Sequence, residues 1–218
     1  ANATQLLRDA EHELSRLDLA GEMVPSIEWF LYAFVRKEAV LSSQIEGTQA
    51  SLVDLLRVEA GASPGRATEE DVEEVSNHLA ALAYARGQIS RKGGLPLSIR
   101  LLNQTHRRLL KGVRGADKRP GEIRRRQNWI GGTRPGNAAF VPPPSREVAR
   151  LLDDLERYIH ETDPVPPLVR AALVHVQFET IHPYLDGNGR MGRLLVTLLL
   201  EHWRLLSRPL LYLSLFFK

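Results

Sequence analysis

Residues 182–193 combine, in one short stretch, the chemical groups that phosphate chemistry requires. The stretch reads His-Pro-Tyr-Leu-Asp-Gly-Asn-Gly-Arg-Met-Gly-Arg, with one imidazole, one carboxylate, three glycines and two arginines. Glycines allow main-chain N–H groups to converge at the start of a helix, where the helix dipole also favours an anion. We therefore interpret the stretch as a phosphate-binding loop with a proton acceptor beside it.

The charged residues of this loop suggest which reaction it serves. Arg190 and Arg193 lie three apart at the start of a predicted helix, where each opposes the helix dipole by ~0.3–1 kcal/mol. A polyphosphate would offset that cost. Asp186 is an oxygen ligand suited to Mg²⁺, and His182 can accept a proton from an attacking hydroxyl. Together these groups predict phosphoryl or nucleotidyl transfer.

Other loop types explain the stretch less well. Its glycine spacing matches the dinucleotide-binding pattern, but no predicted strand precedes it and no acidic residue follows about 20 positions later. Asp186 and Asn188 match the first ligands of an EF-hand, but Arg190 takes the third ligand position and Thr197 replaces the closing glutamate. A surface turn with a lone histidine leaves the carboxylate and both arginines unexplained.

The stretch resembles the signature of the Fic family, His-x-Phe-x-Asp/Glu-Gly-Asn-Gly-Arg-x-x-Arg. Every fixed position matches except the phenylalanine, which is replaced by Tyr184. The resemblance implies an all-α fold, a Fic-type helical bundle with a short β-hairpin flap. It also implies transfer of AMP from ATP to a hydroxyl side chain of a target protein, called AMPylation, with ATP and that protein as partners.

By the same resemblance, each functional residue has a distinct role. His182 is the general base, Asp186 holds Mg²⁺, and Tyr184 is a packing anchor beneath the loop. ATP contacts the segment that follows, which consists of Gly187, Asn188, Gly189, Arg190, Met191, Gly192 and Arg193.

A second motif precedes the catalytic stretch. Residues 42–47, Ser-Ser-Gln-Ile-Glu-Gly, resemble the family's inhibitory motif, Ser/Thr-x-x-x-Glu-Gly/Asn. On a helix, Ser42 and Glu46 share one face. The resemblance implies that Ser42, Glu46 and Gly47 are inhibitory, and that Glu46 reaches Arg193 where the ATP γ-phosphate would bind. Breaking a desolvated Arg–carboxylate pair costs ~3–5 kcal/mol, which is enough to hold an enzyme largely inactive.

Apolar residues recur at helical spacing along most of the chain, and strand alternation is scarce. Thr68 and Asp71 form a predicted capping box, and Ser98 is a predicted helix cap. The break at 91–96 predicts an N-terminal helical segment, residues 1–95, that carries the inhibitory motif, and a catalytic core, residues 96–218. The predicted helices lie around Leu6 to Leu17 and at 27–45, 52–58, 68–90, 98–110, 146–161, 166–181 and 188–206.

Residues 112–144 lack the helical period. Arg134 to Asn137 read Arg-Pro-Gly-Asn, which predicts a type II turn, and β-favouring pieces at 128–130 and 139–141 flank it. We therefore predict a β-hairpin. In Fic proteins such a flap pairs with the target segment like an added strand, and the resemblance implies that Ile130, Gly131 and Gly132 lie near the nucleotide.

Composition excludes several classes of protein. The 218 residues contain no cysteine, which excludes disulfides and thiolate metal sites. The net charge of +3 is too balanced to indicate nucleic-acid binding, and the longest apolar run, 194–200, is too short to span a membrane. With no secretory signal at the N-terminus, we expect a cytoplasmic protein, and we expect the chain to continue beyond Lys218.

Three interpretations stay open beside AMPylation. Glu46 could instead orient a water that removes AMP from modified proteins, or the chain could transfer another phosphate-containing group, or it could sense nucleotide without turnover. Whether the chain forms a homodimer is also open. The remaining basic and imidazole side chains are interpreted as solvated, rim or packing residues; they are Arg119, Arg124, Arg125, Arg126, His106, His160, His175 and His202.

Overall fold

A computed structural model describes residues 2–218 and confirms the all-α prediction. The predicted helices form in the predicted order, and most boundaries agree within one or two residues. The helices are α1 (Ala3–Glu22), α2 (Ile27–Ile45), α3 (Leu52–Glu59), α4 (Glu69–Ser90), α5 (Ile99–Leu109), α6 (Ser145–His160), α7 (Pro167–Ile181), α8 (Asn188–His202) and α9 (Leu213–Phe217).

Side-chain caps begin the middle helices. The predicted capping box of α4 is present, because Thr68 accepts from the Asp71 N–H while the Asp71 carboxylate accepts from the Thr68 N–H. Ser98 accepts from the N–H of Leu101 at the start of α5, as predicted. Such caps satisfy main-chain donors that a helix start leaves unpaired, which explains why local sequence predicts these boundaries well.

The main core lies around α8, which is buried along most of its length. Five other helices contribute buried apolar side chains to it, namely Leu14, Leu82, Leu102, Leu152 and Phe178. These residues come from both sides of the break at 91–96, so one core joins the two predicted segments. The domain boundary at that break stays a prediction.

A smaller core holds the helix that carries the inhibitory motif. Val40 of α2, Leu55 of α3 and Val75 of α4 are buried against one another there. This cluster fixes the C-terminal half of α2 beside α4, and it thereby sets the position from which residues 42–47 approach the catalytic loop.

The flap, residues 128–141, differs from its prediction. It doubles back on itself, but Ile130 and Phe140 form only an isolated antiparallel bridge, so no extended hairpin ladder forms among the described residues. The turn is also different, because Gly136 does not have the positive φ of a type II turn. The side chain of Asn137 accepts from the N–H groups of Thr133 and Arg134, which stabilises a 3₁₀ turn instead.

The end of the chain was predicted less accurately. Helix α8 ends at His202 rather than near 206. Just after this end, Arg204 takes a left-handed conformation, and the N–H of Leu206 donates back to the carbonyl of Leu200. Helix α9 was not predicted. It follows Tyr212, whose ring stacks on Phe34 of α2 at 3.6 Å. Within residues 2–218, no helix is both long and apolar enough to cross a membrane.

Candidate active site

The predicted phosphate loop joins two helices of the core. Helix α7 ends at Ile181, His182 takes a left-handed conformation at φ 49°, and α8 begins at Asn188 after Gly187, which is also left-handed. A non-glycine residue in this region costs roughly 1–3 kcal/mol and persists only where its surroundings hold it. The contacts around His182 show what holds it.

Arg124 fixes the main chain at the start of the loop. It is 2% exposed, and its guanidinium donates to the carbonyls of His182 at 2.8 Å, Pro143 at 2.6 Å and Ile181 at 3.2 Å. The interpretation of Arg124 as a solvated or rim residue is therefore wrong. Its neighbours Arg125 and Arg126 are exposed to solvent. Of these three consecutive arginines, only Arg124 therefore faces the loop.

His182 is oriented to accept a proton. Its Nδ1 lies 3.3 Å from the carbonyl oxygen of Glu179, so Nδ1 carries the hydrogen and Nε2 keeps a free lone pair. Burial lowers the pKa of His182 below its usual value, and the nearby charge of Arg124 contributes to that shift. His182 is therefore neutral and basic at Nε2 near pH 7.

Tyr184 and Asn188 close the loop on itself. The side chain of Asn188 accepts from the Tyr184 N–H and donates to the Tyr184 carbonyl, both at 2.9 Å. The Tyr184 ring is buried and stacks on His106 at 3.8 Å, and its hydroxyl donates to Asn103. Tyr184 thus has the anchoring position that the resemblance implied.

His106 supports the loop from below, a role that its helical position did not predict. Its Nδ1 accepts from the Gly121 N–H at 2.8 Å, so Nε2–H donates to the carbonyl of Asp186 at 2.9 Å. Burial lowers the pKa of His106 to about 4. The ring therefore stays neutral and acts as a fixed hydrogen-bonding bridge.

Asp186, the predicted Mg²⁺ ligand, places one carboxylate beside the loop. Its carboxylate is about a third exposed, accepts from the Gly187 N–H at 2.6 Å and lies 3.7 Å from Arg190 Nη2. No group of three or more His, Cys, Asp or Glu residues in the described chain forms a metal cage. Mg²⁺ is commonly held by one or two carboxylates and the oxygens of a nucleotide, and a single carboxylate fits that kind of site.

Two predicted ATP-binding residues face the interior instead. Arg190 is 1% exposed, and its Nη1 lies 3.6 Å from Glu74 of α4. The side chain of Met191 is fully buried in the core. Helical spacing turns these two side chains toward α4 and the core while Arg193 lies on the neighbouring face, and the part that Arg190 and Met191 play in ATP binding stays a prediction.

Arg193 and the inhibitory motif form one polar cluster. Arg193 Nη2 donates to Glu46 Oε1 at 2.7 Å and to the Ser42 carbonyl at 2.9 Å, while Nε donates to Ser42 Oγ at 2.9 Å. Gly189 allows this approach, because a Cβ there would overlap Glu46 Oε1. Gly47, next along the chain, has φ +98°, which favours glycine.

Glu179 is a site residue that sequence reasoning missed. It lies on the last turn of α7, and its Oε2 is 4.0 Å from His182 Nδ1. Burial raises its pKa to about 7, the charge of Arg193 opposes the shift and that of Glu46 adds to it. Gly192 leaves the space that the Glu179 carboxyl fills. Its position three residues before His182, on the last turn of the predicted helix 166–181, was the available signal.

Two family descriptions match the chain. The Fic/DOC family N-terminal description matches residues 4–86, and the Fic/DOC family description matches residues 96–200. The chain belongs to the Fic/DOC family. This membership confirms the resemblance inferred from residues 182–193 and 42–47.

Known Fic proteins are similar in sequence and fold. Protein adenylyltransferase Fic of Drosophila mojavensis is 31% identical over 211 residues, covering 92% of this Fic chain and 39% of that protein. The Drosophila yakuba protein of the same name is 33% identical over 138 residues, covering 62% and 26%. The chain thus spans about a quarter to two fifths of these curated relatives.

A solved structure supports the fold independently. A Fic domain containing signaling protein from Bacteroides thetaiotaomicron superposes with a TM-score of 0.75 at 22% identity, covering 88% of this chain and 72% of that one. At that identity the likeness concerns the fold alone. The positions of Ile130, Gly131 and Gly132 relative to a nucleotide stay predictions.

Proposed function

We propose that this Fic protein transfers AMP from ATP to a Ser, Thr or Tyr hydroxyl of a target protein, and that Glu46 inhibits the reaction within the same chain. The observation that carries the proposal is the 2.7 Å contact between Glu46 Oε1 and Arg193 Nη2, one helical turn from the glycine loop. The name shared by the Drosophila relatives, protein adenylyltransferase, supports the same activity.

In the proposed reaction, the target hydroxyl oxygen attacks the α-phosphorus of ATP. A new O–P bond forms, the bond from the α-phosphorus to the α–β bridging oxygen breaks, and pyrophosphate leaves. His182 Nε2 takes the hydroxyl proton, for which its neutral state and its Nδ1–H donation to the Glu179 carbonyl prepare it. The N–H groups at the start of α8 and the Arg193 guanidinium would bind phosphate oxygens.

Asp186 would hold Mg²⁺ together with phosphate oxygens. Mg²⁺, when bound, supplies positive charge that stabilises the charge developing on the phosphates. Within the protein, the His106 contact to the Asp186 carbonyl and the Arg190 contact to its carboxylate orient Asp186 for this role.

Inhibition follows from a competition for one guanidinium. Arg193 is 7% exposed, and Glu46 and Ser42 occupy its Nε and Nη2 donors, so a γ-phosphate competes with the carboxylate for the same guanidinium. Because the Glu46 side chain is about a third exposed, breaking its pair with Arg193 costs less than the ~3–5 kcal/mol of a fully buried pair, yet each ~1.4 kcal/mol changes occupancy tenfold. Glu46 would thereby keep ATP binding weak or unproductive.

Removal of AMP is a second candidate function. Among residues 2–218, the Glu46 carboxylate uses Oε1 for its hydrogen bond to Arg193, which leaves Oε2 available to orient a water. Glu46 would then assist hydrolysis of AMP from a modified hydroxyl. Nucleotide sensing without turnover, transfer of other phosphate-containing groups, a homodimer and a cytoplasmic location stay predictions.

The deciding experiment compares wild type with Glu46→Gly, each incubated with labelled ATP and Mg²⁺. We expect label on the Glu46→Gly protein or a co-purified partner, identified as AMP by mass spectrometry, and little on wild type. Folded Glu46→Gly that labels no protein would contradict AMP transfer. Incubating both with an AMP-modified target separates the second function, because removal would be lost in Glu46→Gly.

A further inference from the structure

Glu74 is a buried carboxylate that the proposed chemistry does not use. It lies on α4 and is 3% exposed. Three groups from three different parts of the chain surround it. Thr48 Oγ1 donates to Glu74 Oε2, Arg114 Nε lies 3.3 Å from Oε1, and Arg190 Nη1 lies 3.6 Å from Oε2. A buried charge requires such partners, so this cluster holds its members in fixed positions.

Two of these partners bind the inhibitory segment. Thr48 lies two residues after Glu46, and its N–H donates to the carbonyl of Ser43 at 3.2 Å. Arg114 Nη2 donates to the main-chain carbonyl of Glu46 at 2.9 Å and approaches Glu74 Oε2 at 3.4 Å. Glu74 therefore holds the chain where α2 ends, on both sides of Gly47.

The third partner belongs to the catalytic helix. Arg190 lies three residues before Arg193 on α8, and it also lies beside Asp186. Its Nε and Nη1 are buried without hydrogen-bond partners among the described residues, so Glu74 and Asp186 are its nearby counter-charges. The same carboxylate thus joins the end of α2 to the start of α8.

We propose that Glu74 is the positioning residue that keeps Glu46 on Arg193, through Thr48 and Arg114. Glu46 lies at the C-terminal cap of α2, where the last carbonyls lack helical partners and the end of a helix frays unless other groups bind it. The side chain can therefore reach Arg193 only while that turn is held. This inference rests on the proposed inhibition by Glu46 and names what maintains it.

The test uses variants that loosen the turn and leave the catalytic loop intact. Thr48→Val removes the hydroxyl at nearly constant volume, and Arg114→Met removes the bond to the Glu46 carbonyl. Glu74→Gln leaves Arg190 buried with less counter-charge and can prevent folding, so it is not needed for the conclusion. Asn77→Ala is the matched control, because Asn77 lies on α4 one turn after Glu74 and, within residues 2–218, its side chain binds only the Lys111 carbonyl.

The readout is affinity for the α,β-methylene analogue of ATP with Mg²⁺, measured by calorimetry, since its bridge cannot be cleaved. We expect Glu46→Gly to raise affinity about tenfold, and Thr48→Val and Arg114→Met to raise it at least about threefold. Asn77→Ala should keep the wild-type affinity. In the Glu46→Gly background, Thr48→Val and Arg114→Met should add nothing, because they act only through Glu46.

The outcomes separate this inference from the proposed function. If Glu46→Gly leaves the affinity unchanged, the competition for Arg193 is refuted. If Glu46→Gly raises it while folded Thr48→Val and Arg114→Met match wild type, the positioning role of Glu74 alone is refuted. Equal gains from Thr48→Val with and without Glu46 would also overturn that role, because the hydroxyl would then act independently of Glu46.

Discussion

Glu46 Oε1 and Arg193 Nη2 lie 2.7 Å apart, although 147 residues separate them in the sequence. Arg193 is on the first turns of the catalytic helix α8, and Glu46 is at the end of α2. The contact therefore makes the proposed nucleotide-binding surface depend on the N-terminal part of the chain.

Removing only the charge of Glu46 should release the inhibition. We expect Glu46→Gln to raise the initial rate of AMP transfer about tenfold, because a neutral amide competes less well with a phosphate for a buried guanidinium. Radiolabel incorporation measures the rate. Glu28→Gln is the matched control, since Glu28 is exposed in the first turn of the same helix. Equal rates in the two variants would argue against a charge-dependent mechanism.

His182→Ala should separate chemistry from binding. In the Glu46→Gly background we expect it to lower the transfer rate ~10²–10⁴-fold, which is the usual contribution of a general base. Affinity for the uncleavable ATP analogue should stay within about twofold, because catalysis by a base acts in the transition state. A parallel loss of affinity would show that His182 instead shapes the nucleotide site.

The pH profile of transfer should reflect the buried state of His182. Since burial lowers the pKa of His182 below 6.5, the imidazole stays neutral in weakly acidic solution. We expect the acidic limb of kcat/KM for ATP in Glu46→Gly, which reports the groups of the nucleotide-free protein, to have its midpoint below pH 6.5, measured across pH 5 to 8 with Mg²⁺ in excess. A midpoint above pH 6.5 would contradict the assignment of His182 as the base.

Glu179 should make the protein less stable as pH rises. Burial raises its pKa to about 7, whereas its ordinary value is 4.5. The unfolded chain therefore loses this proton first, and the stabilisation from protonated Glu179 is complete below pH 4.5 and lost by about pH 7. At pH 8, the free energy of unfolding of Glu179→Gln should exceed that of wild type by about 2 kcal/mol. This difference is smaller than the full pKa shift implies, because the Glu179 side chain is partly exposed to solvent.

Urea unfolding of wild type and Glu179→Gln at pH 4.5 and pH 8 tests this prediction. The two proteins should be similar in stability at the lower pH and diverge at the higher one. A constant difference between them at both values would mean that Glu179 does not titrate over this range.

Two glycines inside helices should respond in opposite ways to alanine. A Cβ on Gly192 would overlap the Glu179 carboxyl and lie 3.1 Å from His175 Cε1, so we expect Gly192→Ala to destabilise the protein by about 1–3 kcal/mol. Gly87 in α4 has no atoms near its Cβ position, and Gly87→Ala should stabilise by about 0.5–1 kcal/mol. Thermal unfolding of both variants provides the comparison, and stabilisation by Gly192→Ala would show that Glu179 is not confined.

Local patterns predicted much of this molecule because their causes are local. The Thr68 capping box and the apolar period of α2 and α4 depend on neighbours within one or two helical turns. The flap was predicted less well for a related reason. Ile130 and Phe140 do form a bridge, but the Asn137 side chain provides a competing set of hydrogen bonds that turns the intervening residues into a 3₁₀ turn.

By itself, the sequence determined the helical class, the family and the groups available for chemistry, because these depend on residue type and short spacing. Only the tertiary structure decided which arginine of the motif faces the site. Arg190 points inward to Glu74 and Arg193 meets Glu46. Glu74, Arg124 and His106 likewise acquired roles through contacts with distant segments. Such pairings arise from how the helices pack, since a buried charge is stable only where packing supplies its partner.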